Sequence, residues 1–121
     1  MPHLRIEYST NIAERFDPAR LAEAAAATLL ASGVFEPPHS TKARLIPVAH
    51  FRVGGGADHG FLHADLALLS GRDTATKAAL TGALVACLGQ QLQPGALTVQ
   101  ITAEARDMDR DSYSKVLVPG L

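Results

Sequence analysis

Two strand–helix–strand patterns follow one another in this chain of 121 residues, and the glycine cluster at residues 54–56 separates them. A helix that joins two parallel strands packs back onto their sheet. The order therefore predicts a single α+β domain in which two tandem β-α-β units, about residues 1–53 and 60–106, form one four-stranded mixed sheet with both helices on one face. Residues 107–121 remain as a C-terminal arm, and the other sheet face requires a cover, most naturally another subunit.

The strands are predicted from alternation of apolar and polar residues. The most regular strand places Leu62, Ala64, Leu66 and Leu68 on one face. Proline cannot donate a hydrogen bond to a sheet, so Pro47 predicts an edge strand or a bulge. The four predicted strands cover residues 2–8, 43–53, 60–69 and 97–106.

The helices are predicted from their end signals. Asp17 followed by Pro18 is typical of a helix start, and Gly33 provides a left-handed stop after a helix that ends at about Ser32. Asp73 caps a second helix, which runs to about Gln93. The apolar faces of the two helices comprise Leu21, Ala25 and Leu29 in the first and Leu80, Leu84 and Leu88 in the second. Residues 36–42 are predicted to form a loop.

Composition narrows the class of protein. Hydrophobic residues make up 47% and charged residues 19%, which is typical of a folded domain. The net charge is −1 and the basic residues are scattered, so we expect no nucleic-acid partner. No apolar run reaches the roughly 20 residues that span a bilayer, and we expect no membrane association. Cys87 is the only cysteine, which favours a buried thiol and a cytoplasmic location.

Pro2 is the residue with the most distinctive chemistry. Removal of Met1 would leave a secondary amine at the start of the first strand, and an α-amino group titrates near neutrality, where a general base works best. A retained Met1 would make the Pro2 nitrogen an amide without basicity.

Other catalytic patterns are weaker. The glycine cluster lacks the lysine-serine continuation of a phosphate-binding loop, so a turn is favoured. His3, His50, His59 and His63 have no spacing of a familiar zinc site, and we expect neither a metal nor a cofactor. Ser9 and Ser70 have no evident histidine and carboxylate partners in sequence, which makes hydrolysis improbable.

With Pro2 and the paired units, the chain resembles the tautomerase superfamily, and within it the 5-carboxymethyl-2-hydroxymuconate isomerase family. The residues that carry the resemblance are the opening Met1, Pro2 and His3, residues 7–12, residues 31–35, and the stretch from Phe61 to Arg72. The resemblance implies a cofactor-free homotrimer with active sites near the subunit boundaries. It also implies a small unsaturated substrate that bears several carboxylates and arises from the cleavage of an aromatic ring.

The resemblance also implies roles for particular residues. Pro2 matches the catalytic base, and Arg72 matches the arginine that follows the third strand and binds a substrate carboxylate. Lys42 and Arg44 occupy the positions of an alternating arginine pair after the first helix. Lysine at position 42 departs from the family, because it keeps the charge but loses the bidentate geometry of arginine. The absence of tryptophan and the C-terminal arm are further departures.

Two alternatives are compatible with the sequence. One is a ferredoxin-like binding or oligomerisation module in which Pro2 is incidental and the open sheet face meets a ligand or partner. The other keeps the tautomerase fold and carries out a different reaction, such as dehalogenation or decarboxylation.

Overall fold

The computed structural model describes residues 1–35 and 38–121, with the side chain of residue 38 left aside, and contains four strands and two α-helices. The strands are β1 (His3–Ser9), β2 (Lys42–Val48), β3 (His59–Leu69) and β4 (Thr98–Met108), and the helices are α1 (Pro18–Ala31) and α2 (Thr74–Gln91). Short 3-10 turns cover Thr10–Arg15, Pro38–Ser40 and Arg110–Ser112. The predicted loop at residues 36–42 lies partly outside the described residues, and its last residue already belongs to β2.

The sheet has the order β2-β1-β3-β4. β1 pairs parallel with β2, β3 pairs parallel with β4, and the two units join through the antiparallel pair β1 and β3. The prediction of a mixed four-stranded sheet is confirmed. Pro47 lies in β2, which is an edge strand as its missing N–H requires.

The predicted extent of the second strand is wrong. β2 ends at Val48, and the predicted strand residues 49–53 leave the sheet. Val53 forms only an isolated bridge with Gly56, and Gly54 has a φ of 57°. The ladder ends at Val48 because its partner Ser9 is the last residue of β1. The chain then reverses tightly, in a left-handed conformation at Gly54 that glycine adopts without steric cost.

One apolar core lies between the sheet and the two helices. Leu4 and Ile6 of β1 are fully buried, and every second residue of β3 faces the same side, as its alternation predicts. The predicted apolar faces of both helices are buried. The opposite sheet face carries charged side chains, including Arg106, which contacts Asp65 at 2.6 Å. Both helices therefore cover one face only.

The helix ends follow their predicted signals. The Asp17 side chain accepts from the N–H of Ala19 at 3.0 Å, and that of Asp73 accepts from the N–H of Thr76 at 2.8 Å. Gly33 adopts a φ of 75°, the left-handed conformation that ends α1. Among the residues that the structure describes, neither helix has the length and apolarity to cross a membrane. Cys87 is only partly buried, contrary to the prediction, because it lies beside the apolar stripe of α2.

The turn at Thr10–Arg15 was not predicted. It places Ile12 in the core against Gly60, where a Cβ atom would come within 2.5 Å of the Ile12 Cγ2 atom. Ser9 is buried beside it, and its Oγ accepts from the N–H of Phe61 at 2.9 Å. Position 60 therefore requires glycine for close packing, and this requirement has no local sequence signal.

Candidate active site

The candidate site forms around the start of β1. Pro2 precedes this strand and is buried. Because β1 and β2 run parallel with His3 opposite Lys42, the Lys42 N–H donates to the Pro2 carbonyl oxygen at 3.1 Å. Strand pairing therefore brings a predicted substrate-binding lysine next to the predicted base.

The N-terminal amine lies in a cationic environment. Burial lowers the pKa of the Met1 amine, and the charges of Lys42, Arg72, Lys115 and Arg110 lower it further. Positive neighbours oppose protonation of an amine, as does the loss of solvent. The surroundings thus favour the uncharged form of this nitrogen.

Arg72 reaches this environment from the segment between β3 and α2. Its guanidinium donates to the Val34 carbonyl oxygen at 3.2 Å and to the Leu69 carbonyl oxygen at 3.4 Å. It also lies 5.5 Å from the ring centroid of Phe35, within cation–π range. These contacts hold the charge in place beside the exit of α1.

The Lys42 side chain is held in place by a hydrogen bond to a neighbouring residue. Its Nζ atom donates to the Ser40 carbonyl oxygen at 2.7 Å. Burial lowers the pKa of Lys42, and the charges of Lys115 and Arg44 lower it as well. A cation held among like charges is stabilised when an anion arrives, because the anion relieves their repulsion.

Arg44 contacts His3 in the structure. Its Nη2 atom donates to His3 Nδ1 at 3.3 Å, and His3 Nε2 lies 3.0 Å from the Tyr113 hydroxyl. Since arginine can only donate, Nδ1 must accept and the proton of the neutral imidazole belongs on Nε2, which donates to Tyr113. Burial, Arg44, Lys42 and the N-terminal amine all lower the pKa of His3, which agrees with the neutral ring.

A cavity of about 440 Å³ adjoins this group. The C-terminal arm provides one wall, and the other comes from the start of β1 and the segment that leads into β2. The lining residues are His3, His39, Ser40, Lys42, Tyr113, Ser114, Lys115, Val116 and Leu117. Of the four predicted site residues, Lys42 lines the cavity, whereas Pro2, Arg44 and Arg72 lie outside its lining.

Several site residues were missed by sequence reasoning. Lys115, Tyr113 and Arg110 reach the site because the arm folds back along the first strand, and Arg110 anchors its start by donating to the Ser70 carbonyl oxygen at 2.8 and 3.1 Å. The available signal was the apolar end of the arm, which indicated docking without indicating where. Within residues 1–35 and 38–121, no three His, Cys, Asp or Glu side chains gather as a metal site would require.

A larger groove of about 570 Å³ lies between the helices, from Thr28 on α1 to Ala83 on α2. Among residues 1–35 and 38–121, no ionisable side chain lines it. The cavity lined by Lys42 and Lys115 is therefore the better candidate for binding an anionic ligand.

Solved structures with the same fold define the class. A 5-carboxymethyl-2-hydroxymuconate delta-isomerase is similar with a TM-score of 0.81 at 21% identity, covering 98% of this chain and 89% of that chain. An isomerase of the same description from Deinococcus radiodurans R1 has a TM-score of 0.78 at 22% identity, covering 95% and 88%. A fused 4-OT protein described as a symmetric trimer has a TM-score of 0.67 at 24% identity, covering 98% and 94%. The fold is that of the tautomerase superfamily.

The family model of 5-carboxymethyl-2-hydroxymuconate isomerase matches residues 2–115. The chain belongs to this family and is an isomerase of the tautomerase superfamily, so the predicted resemblance is confirmed. This membership favours an enzyme over the non-catalytic module. No curated protein sequence matches the chain significantly.

Proposed function

We propose that this isomerase interconverts the enol and keto forms of a small unsaturated acid with several carboxylates, similar to 5-carboxymethyl-2-hydroxymuconate, in the catabolism of aromatic compounds. Pro2, released by removal of Met1, is the acid–base group. The observation that supports the proposal is the set of cations Lys42, Arg72, Arg110 and Lys115, which act on the Met1 amine, one residue from the Pro2 nitrogen that becomes the amine when Met1 is removed. A polyanionic substrate and an uncharged amine both require such surroundings.

The reaction moves one proton from oxygen to a distant carbon. The Pro2 nitrogen accepts the enol proton, electron density shifts through the conjugated chain, and the protonated amine then delivers the proton to carbon. The negative charge that develops meanwhile is stabilised by the fixed cations. Pro2 begins and ends the cycle uncharged, so no other proton donor is required.

The charged side chains divide the binding task. Lys42 lines the cavity and contacts a carboxylate directly, and Arg72 holds a second anionic group near the amine. Arg44 acts indirectly in the single chain, because its guanidinium orients His3. Lysine donates from a point charge, so Lys42 tolerates more varied carboxylate orientations than an arginine fork.

The proposal includes a homotrimer. The open sheet face and the exposed apolar residues Val116, Leu117 and Val118 offer surface for neighbouring subunits. The fused 4-OT protein of similar fold is a symmetric trimer, which supports this assembly.

Substitution of the base tests the proposal. Turnover of 2-hydroxymuconate and phenylenolpyruvate is measured for the native protein, Pro2→Ala and Arg72→Ala. We expect Pro2→Ala to lower kcat/KM by roughly 10² to 10⁴, the usual contribution of general acid–base catalysis. Arg72→Ala should chiefly raise KM for the substrate with more carboxylates.

The state of the N-terminus is the necessary control. Intact mass must show that Met1 is absent from the active protein and from both variants. Full activity in Pro2→Ala, or full activity in a protein that retains Met1, contradicts a base role for Pro2.

A further inference from the structure

Ser40 is a buried polar residue without an explained role. The residue is 3% exposed, and among the described residues its Oγ atom has no hydrogen-bond partner. A buried hydroxyl that gives up water without a replacement partner destabilises a fold. It is the only buried side-chain nitrogen or oxygen atom left unpaired in residues 1–35 and 38–121.

The position of Ser40 gives that hydroxyl a context. Ser40 lines the same cavity as Lys42 and Lys115, at the end of the 3-10 turn Pro38–Ser40. Its backbone carbonyl oxygen already accepts from Lys42 Nζ at 2.7 Å. The hydroxyl therefore belongs to the same residue whose carbonyl oxygen binds the Lys42 ammonium group.

We infer that the Ser40 hydroxyl donates a hydrogen bond to the substrate carboxylate whose charge Lys42 neutralises. This inference rests on the proposed function and adds a neutral donor to the cationic contacts. An anionic oxygen satisfies the hydroxyl and the lysine together, and a hydrogen bond to a charged acceptor is stronger than one between neutral groups.

Binding requires a small rearrangement. The Oγ atom has almost no contact with solvent, while Ser40 itself lies on the cavity wall. Lys42 can leave the Ser40 carbonyl oxygen when its ammonium turns to the incoming carboxylate. The Ser40 hydroxyl must turn toward the cavity in the same step, because its Oγ atom is buried in the free protein.

A purely local role for Ser40 is not supported by its contacts. Short polar side chains such as serine and aspartate at the ends of turns often accept a hydrogen bond from a nearby backbone N–H. Asp109 does so in the turn Arg110–Ser112, where its side chain accepts from the Asp111 N–H at 3.1 Å. No equivalent bond to the Ser40 Oγ atom exists within the part of the chain described by the structure.

The test measures binding without turnover. trans,trans-Muconate is a conjugated dicarboxylate without an enol, and its dissociation constant is measured by calorimetry for the native protein, Ser40→Ala and Thr41→Val. We expect Ser40→Ala to weaken binding about tenfold. Thr41→Val removes the adjacent hydroxyl, which does not line the cavity, and should change the constant by less than about twofold.

The effect of Ser40→Ala in a variant without Lys42 tests whether both residues bind the same carboxylate. In a Lys42→Met background, Ser40→Ala should weaken muconate binding by less than about twofold, because the carboxylate is no longer held there. The melting temperature of free Ser40→Ala should stay the same or rise, since an unpaired hydroxyl is removed.

Three results would overturn the inference: no binding of muconate to the native protein, an equal loss in Ser40→Ala and Thr41→Val, or the same loss with and without Lys42. None of these depends on Pro2. The base role of Pro2 is tested separately, by the turnover of Pro2→Ala. A failure of the base role can therefore be distinguished from a failure of the Ser40 inference.

Discussion

Single charged residues set the chemistry of this site. The charges of Lys42 from β2, Arg72 from the segment before α2, and Lys115 and Arg110 from the arm all act on the Met1 amine, which precedes Pro2. Each charge makes protonation of the amine less favourable. In the proposed function the same charges attract a polycarboxylate, so substrate binding and base strength would be coupled through one set of side chains.

This coupling predicts a shift of the pH profile. The base works when unprotonated, so kcat/KM should rise with pH through the amine pKa. Removing a cation raises that pKa, and Lys42→Met should therefore move the rising limb to higher pH. The pH dependence of kcat/KM for phenylenolpyruvate measures the change.

Arg20→Ala is the matched control. Arg20 is an exposed cation of α1 that pairs with Asp17 at 3.9 Å and does not act on the amine. Removal of the Arg20 charge should leave the rising limb of the kcat/KM profile at the same pH. An equal displacement in both variants would indicate a general effect of net charge and contradict a local role for Lys42.

At the scale of elements, the ends of α1 and β3 decide where Arg72 can lie. α1 ends through Gly33 in a left-handed conformation, and the chain then presents the Val34 carbonyl oxygen and the Phe35 ring to the Arg72 guanidinium. The end of α1 thus positions Arg72, which lies 38 residues after Val34 in the sequence.

The conformation of Gly33 predicts a stability difference between two glycines. A Cβ atom would meet nothing within 4 Å at either Gly33 or Gly82, so only the backbone distinguishes them. Gly33→Ala should cost roughly 1–2 kcal/mol of unfolding free energy, because alanine resists the left-handed conformation. Gly82→Ala, inside α2, should stabilise by roughly 0.5–1 kcal/mol.

Denaturant unfolding at one fixed protein concentration measures both variants, since assembly makes apparent stability depend on concentration. Equal effects of the two substitutions would mean that α1 does not need its left-handed end.

At the scale of the whole molecule, the C-terminal arm carries apolar residues that a single chain leaves exposed. Tyr113 is held at the site by its hydrogen bond with His3 Nε2 at 3.0 Å, and in the chain that retains Met1 the Lys115 ammonium lies 2.9 Å from the Met1 sulfur. Beyond them Val118 is 85% exposed, with apolar neighbours on its N-terminal side. A run of exposed apolar residues next to a site is typical of an interface.

We therefore expect Val118→Asp to weaken assembly. Sedimentation of the native protein should give about three times the 12.7 kDa of one chain, and the variant should dissociate at higher concentration because a carboxylate is costly to bury. Leu30→Asp, at an exposed leucine of α1, is the control and should sediment as the native protein does. A trimer of unchanged stability in Val118→Asp would exclude this part of the arm from the interface.

Periodicity and end signals in the sequence were sufficient for the order of elements, the buried faces of β3 and both helices, and the caps at Asp17 and Asp73. These features depend on neighbours a few residues apart. The end of β2 at Val48 and the turn at Thr10–Arg15 depend on packing between distant segments, which local patterns do not encode.

The candidate site divides in the same way. The sequence alone determined that Pro2 lies at the N-terminal end of a strand, which begins at His3, and that Lys42 and Arg72 are available as cations. Only the tertiary structure decided that Lys115 and Arg110 join them, that Arg44 contacts His3, and that Ser40 is buried beside Lys42. The physical reason is that charge and burial act through space, and the path of the arm and the pairing of β1 with β2 set those distances.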